Sequence, residues 1–94
     1  MKNNSCYKIL ITKKPESKFN PFHEELDSTF CFIDFLEIGH PLLGHYKPKG
    51  NNEIYFRLFN TSTVLNIEEK EDGNIFVETK NSYFKFEIQE QESE

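Results

Sequence analysis

Alternation of apolar and polar positions is cleanest near the C-terminal end of the chain. Across residues 82–88, Phe84, Phe86 and Ile88 fall on one side and Tyr83, Lys85 and Glu87 on the other. That period of two is the mark of a half-buried strand. The same reading extends back over residues 53–89 as four short strands in succession. Residues 53–59 are rich in aromatics and free of Gly and Pro, which favours a strand, and residues 60–62 read as a turn. Residues 63–68 set Leu65 and Ile67 against Val64 and Asn66. Residues 69–74 carry hairpin chemistry, because Gly73 takes positive φ without a Cβ clash and Asp72 suits the position before it. Residues 74–79 place Ile75 and Val77 on one face. Lys80-Asn81 then fits a two-residue connection, since Asn tolerates the left-handed region.

The N-terminal half is less regular. Residues 6–12 read as a strand with Tyr7, Ile9 and Ile11 on one face and Lys8 and Leu10 on the other. Residues 13–18 form a charged loop around Pro15. Asn20-Pro21 followed by Glu24 and Glu25 is a helix-start signal of at most two turns, with Phe22 and Leu26 sharing its buried side; an irregular loop is the alternative. Residues 29–38 are the most hydrophobic run. They admit helix or strand, and their aromatic and β-branched content favours strand. In that strand Phe30, Phe32, Leu36 and Ile38 line one face, and Cys31, Ile33 and Phe35 the other. Residues 39–52 read as the longest loop, because three glycines and two prolines interrupt regular structure. Loops of that length in small domains tend to be functional or mobile.

The expected fold is therefore mainly β: a small antiparallel sheet or open barrel of five or six strands with one short helix. It occupies residues 1–89 as a single domain, with a frayed start and a disordered acidic tail over 90–94. A chain of 94 residues buries only about 60–65% of its unfolded surface, so the core must be dense. Ten phenylalanines supply the bulk.

Charge changes the picture mainly by exclusion. The formal net charge is −5, unevenly spread. Residues 1–50 hold seven lysines and six acids, whereas residues 51–94 hold one arginine, three lysines and ten acids. Direct nucleic-acid binding is not expected, because neutralising phosphate dominates that affinity. No run has the length of a membrane helix, and the N-terminus lacks the apolar segment of a signal peptide. A cytoplasmic location is expected, with Cys6 and Cys31 as small core hydrophobes. A disulfide would require their strands to be neighbours.

Chemistry-bearing residues are sparse. His23, His40 and His45 lack the close-spaced Cys or His partners that zinc needs, so no metal and no cofactor is expected. Cys6 and Cys31 sit in apolar strand patterns, which argues against an activated thiol, and no enzymatic activity is expected. Asp34 interrupts an apolar run and should be exposed, paired or functional; exposure on an open sheet face, or pairing with a lysine or Arg57, is favoured over general acid–base work. The stronger lead is a set of outward aromatics, Tyr55, Phe59 and Tyr83, with Arg57 and Lys85; the alternative is that they form a second buried layer, packed under the N-terminal strand and helix. Tyr and Arg are enriched in interface hot spots. The loop adds His45, Tyr46, Lys47 and Lys49.

From Arg57 onward, the series Arg57, Ser62-Thr63-Val64, residues 75–79 and residues 81–86 is similar to the β-meander ending of small bacterial and phage accessory proteins of unknown function. The resemblance implies a fold ending; it carries no activity and no site residues. The Asn-, Lys-, Ile- and Phe-rich composition suits a low-GC bacterium or its phage. The expected function is a small non-enzymatic protein-binding module, in the manner of a phage- or plasmid-type accessory inhibitor of a host protein, able to form a homodimer. The alternative is a protein that sequesters a nucleotide or other small anion, with Lys47, Lys49 and Arg57 on the phosphate and an aromatic stacked on the base.

Overall fold

A computed structural model describes residues 5–15, 21–50 and 55–89. Residues 1–4 of the expected frayed start, the Asn20 cap, residues 16–18 of the charged loop, residues 51–54 and the acidic tail lie outside the described residues. The elements in chain order are β1 (Cys6–Lys13), α1 (Pro21–Leu26), β2 (Phe30–Phe35), β3 (Pro41–Tyr46), β4 (Arg57–Glu69), β5 (Ile75–Thr79) and β6 (Ser82–Ile88). All strand pairs are antiparallel, and the order β1-β2-β3-β4-β5-β6 closes into a barrel through β1 and β6. The mainly-β expectation holds, with one short helix.

Two local readings are overturned. The segment 39–52 is not a loop throughout, because residues 41–46 form β3. Gly44 fits inside that strand for a packing reason. A Cβ there would lie 2.6 Å from the Phe32 carbonyl oxygen and 2.8 Å from the Phe59 ring, so only glycine admits so close an approach. Residues 60–62 are not a turn, and the expected strands 53–59 and 63–68 are parts of one strand, β4. Its first half pairs with β3 and its second half with β5. Register shifts occur in both pairings. Phe59, Val64 and Ile67 all pack inward, although odd intervals separate them, which requires one bulge between each pair. Such bulges bend a strand and increase its twist. They let β4 curve far enough to serve both neighbours in a six-stranded ring.

The side chains within the barrel form one core. Tyr7 and Ile9 enter from β1, Cys31 from β2, Leu42 and Tyr46 from β3, Ile75 and Val77 from β5, and Phe84 and Phe86 from β6. The rings make edge contacts, Tyr7 to Phe86 at 6.2 Å and Tyr46 to Phe59 at 5.9 Å between centroids, a preferred aromatic geometry. The inward sets expected for β1, β5 and β6 match these positions.

The seam between β1 and β2 is the shortest pairing, over Cys6 to Lys8. Residues following α1 extend it. Ile9 N–H donates to the Thr29 carbonyl (2.9 Å), Ser28 N–H to the Ile9 carbonyl (2.7 Å), and Ile11 N–H to Asp27 Oδ1 (2.9 Å). Asp27 thus supplies with its side chain an acceptor that a longer β2 would have supplied with its backbone. Leu26 of α1 is buried beneath this seam.

The two cysteines lie on neighbouring strands but point to opposite faces. Tyr7 pairs with Cys31 and faces inward with it, whereas Cys6 pairs with the outward Phe32. Both are free thiols. Burial pushes the Cys31 thiol well above its usual range, with Cys6 and Asp34 nearby adding to the effect. Burial also raises Cys6, and a backbone hydrogen bond from Cys31 partly offsets it.

Candidate functional site

Register decides which aromatics reach the outer surface. Phe32, His45 and Leu58 stand side by side across β2, β3 and β4. Phe35, Leu43 and Asn60 form the next row. Phe56 extends the first row beyond the end of β4, its ring 5.5 Å from that of Phe32. Leu58 is 74% exposed, and Phe35, Leu43 and Phe56 are all exposed.

A bulge builds part of this surface. Phe32 faces out and Ile33 faces in; uninterrupted alternation would turn Phe35 inward. The register shift between Ile33 and Phe35 instead pairs Phe35 with the outward Leu43, and Leu36 turns back onto the core. Phe35 therefore leaves the face on which the sequence pattern placed it with Cys31 and Ile33. Leu36 likewise leaves the face of Phe30 and Phe32. At the bulge, Asp34 Oδ2 lies 2.6 Å from His45 Nδ1. Asp34 is paired, as expected, but with a histidine rather than with lysine or Arg57. This contact is, with Asn60, the polar part of a mostly apolar surface.

The other side of the barrel has a different character. Lys14 Nζ bonds Glu78 at 2.7 Å and lies 5.0 Å above the Tyr83 ring. Lys85 pairs with Glu87 at 3.2 Å and lies 5.7 Å from the Phe76 ring, over which Lys70 also sits at 5.5 Å. Each aromatic on β5 and β6 that faces outward is thus shaded by a cation, and the cations have carboxylate partners. Cation–π contacts of this kind stabilise modestly at exposed sites.

The residues singled out from sequence do not converge. Tyr83 and Lys85 lie on the charged side. Arg57 pairs with Tyr46 at the far end of β4, nine residues from Asn66, beside which β5 and β6 run; that is roughly 30 Å of strand. Phe59 is not outward at all: at 4% exposure it is core, its ring covering Gly44. Tyr46 is also buried, and its hydroxyl donates to Glu25 Oε2 at 2.9 Å, where Arg57 Nη1 also bonds at 3.2 Å. Burial, and then the Glu25 hydrogen bond, raise the Tyr46 hydroxyl above its usual range. The Tyr46 contact raises Arg57 in turn. This trio ties α1 to the barrel end. Lys49 Nζ bonds the Glu24 carbonyl at 3.1 Å. Lys47 N–H donates to the Phe30 carbonyl at 2.9 Å. Tyr55 is partly exposed beside Phe56 in sequence. His45 alone of the set sits within the apolar surface.

Sequence reasoning missed Phe56 and Leu58 because both faces of residues 55–59 carry aromatic or aliphatic side chains. Alternation then shows two faces without saying which is inside. Gly44 bears on the choice only once β3 is paired with β4, because the Phe59 ring then occupies the space its missing side chain leaves.

With that geometry in hand, comparison with known proteins returns no matching family model, no matching curated protein and no matching solved structure. Among the described residues, no three His, Cys, Asp or Glu side chains gather in a way that would hold a metal ion, and no helix is long and apolar enough to cross a membrane.

Proposed function

We propose that this protein is a non-enzymatic protein-binding module whose contact surface is the outer face of β2, β3 and β4. It acts as an accessory that occludes or bridges its partner. The observation that carries the reading is the contrast between the two sides of the barrel. The outward aromatics of β5 and β6 lie beside paired lysines, whereas the exposed Phe35 and Phe56 meet only other rings, the His40 edge at 5.9 Å and Phe32 at 5.5 Å, and Leu43 and Leu58 are exposed beside them. Contiguous exposed apolar surface on a small domain marks an interaction site more often than chance, and aromatic anchors ringed by polar groups are the composition of hot spots.

Anion sequestration has less support. Arg57 and Lys49 are engaged with Glu25 and the Glu24 carbonyl, so two of its three proposed phosphate ligands are held by α1. Free thiols on opposite faces of adjacent strands suit the reducing cytoplasm proposed for the protein.

Native mass spectrometry of the chain purified gently from its own cells tests the reading. A stoichiometric protein species is expected on the wild-type chain and absent from a Leu58→Glu variant. A bare monomer from both, or a small-molecule adduct on both, would refute it.

A further inference from the structure

We propose that the barrel mouth away from α1 is a separate binding site, and that it takes an amphipathic cation, an alkylammonium or alkylguanidinium group. The inference goes beyond the functional reading above and stands without it, because it uses none of the outer face of β2, β3 and β4.

The mouth holds a cavity of about 220 Å³ between the β4–β5 hairpin and the ends of β1 and β6, lined by Tyr7, Glu69, Glu71, Gly73, Ile75 and Ile88. Barrel mouths are recurrent ligand sites, and this one is smaller than the roughly 300–1,000 Å³ of sites for drug-sized molecules. It has room for one side chain or one small molecule. α1 lies at the opposite end. Its anchors Tyr46 and Arg57 finish β3 and begin β4, whereas Tyr7 stands near the start of β1, and Glu69 and Ile88 finish β4 and β6.

Floor and rim differ in chemistry. Tyr7 and Ile75 are buried, and Ile88 packs against the core, so the floor is largely apolar. Glu69 faces Ile75 across the β4–β5 ladder. Directly paired residues share a face of the sheet, which sets the Glu69 side chain above this floor rather than on the barrel's outer surface. The Tyr7 hydroxyl, hydrogen-bonded to Ser5, feels the Glu69 charge. Glu71 follows on the hairpin. Lys70, between the two, turns its ammonium elsewhere, to Glu68 at 2.8 Å and over the Phe76 ring at 5.5 Å. An apolar floor below two carboxylates suits an aliphatic stem with a cationic head, because long basic side chains lay their stems on apolar surface and keep the head in polar company. An anion would meet like charge there. A plain alkyl group would desolvate the carboxylates without compensating them.

The walls are built before a ligand arrives. Asn74 Oδ1 accepts from Ile88 N–H at 3.0 Å and ties the hairpin to β6. Within the hairpin, Lys70 N–H donates to the Asn74 carbonyl at 2.8 Å, Gly73 N–H to the Lys70 carbonyl at 3.0 Å, and Asn74 N–H to Asp72 Oδ1 at 3.0 Å. Gly73 has φ of 98°, and a Cβ on it would lie 3.1 Å from Ile88 Cγ2. A wall fixed in this way loses little freedom on binding.

Titration of the full chain with butylammonium, followed through amide shifts, tests the site. Butyrate, with a similar stem and the opposite charge, is the control ligand. Butylammonium should give saturable shifts at Tyr7, Gly73, Ile75 and Ile88 with a Kd on the order of 1–10 mM, and butyrate should give none. Glu69→Gln combined with Glu71→Gln should weaken binding at least about tenfold, the loss of one charge-assisted hydrogen bond. Glu24→Gln, exposed on α1, should leave it unchanged, and the spectra verify that the variants are folded. N-acetyl-lysine N′-methylamide separates the sources of the cation. Binding at least as tight as that of butylammonium assigns the mouth to a basic side chain of a partner protein, and weaker binding assigns it to a free amine; either result upholds the site. No saturable shifts with butylammonium, equal shifts with butyrate, or binding that survives the double Gln variant overturns it. The protein-binding reading stands or fails separately, on Leu58→Glu.

Discussion

Gly44 concentrates several constraints in one missing methyl group. The Phe32 carbonyl approaches it on one side and the Phe59 ring on the other. Gly44→Ala should destabilise the barrel by about 1–3 kcal/mol, the range for overpacking a filled core, read as a lower urea midpoint with an unchanged slope. Cys31 makes a different prediction. Its thiol stays protonated in the folded barrel well above the pH at which an unfolded thiol ionises, near 8.5. Above that pH the folded state binds more protons than the unfolded state, so stability must fall as pH rises. The slope approaches about 1.4 kcal/mol per pH unit while the unfolded thiol is ionised and the folded one is not. Tyr7 and Tyr46, both raised chiefly by burial, steepen the fall above about pH 10. Denaturation midpoints at stepped alkaline pH check this, and a Cys31→Ala chain should lose most of the earliest part of the slope, leaving the smaller share of Cys6, which burial also raises.

At the level of elements, the hairpins were the most legible part of the chain and the bulges the least. Thr79 and Ser82 flank the two-residue connection that Lys80-Asn81 predicts. Thr79 Oγ1 accepts from Ser82 N–H and donates to the Ser82 carbonyl, each at 3.1 Å and buried. Thr79→Val keeps the shape and removes both bonds, so it should cost about 1–3 kcal/mol, measured by thermal or urea unfolding. Turn chemistry of that sort is local and leaves a local mark. A bulge leaves none, because it depends on which strand lies alongside. Nothing near Asp34 says that Phe35 will flip outward to meet Leu43, and nothing in residues 60–62 separates a bulge from a turn. β3 was hidden for a related reason: Gly44 and Pro41 look like breakers until Phe59 covers the one and the end of the strand takes the other. Among the aromatics that the alternation turns outward, Tyr55 and Tyr83 are exposed and Phe59 is core; two apolar faces over residues 55–59 hide which of them is inside.

For the molecule as a whole, closure is the controlling property. β1 joins β6 along seven residue pairs, from Tyr7 to Lys13, and removes the edges that β6 and β2 would otherwise present. A chain lacking residues 1–13 should lose cooperative unfolding and scatter light at concentrations where the full chain stays clear, because an uncovered edge templates association. Retention of a sharp transition and a dispersed spectrum by the shortened chain would show that β1 is dispensable. A ring in which each strand has a neighbour on both sides also limits how anything can be recognised. Among the described residues no strand is left as an open sheet edge, so the proposed recognition would rest on side chains standing on the outside. Phe35, Leu43, Phe56 and Leu58 stand there without filling the interior. Those positions can be exchanged while Phe59, Val64 and their neighbours hold the ring together, so the proposed contact surface could change its target with little loss of the scaffold.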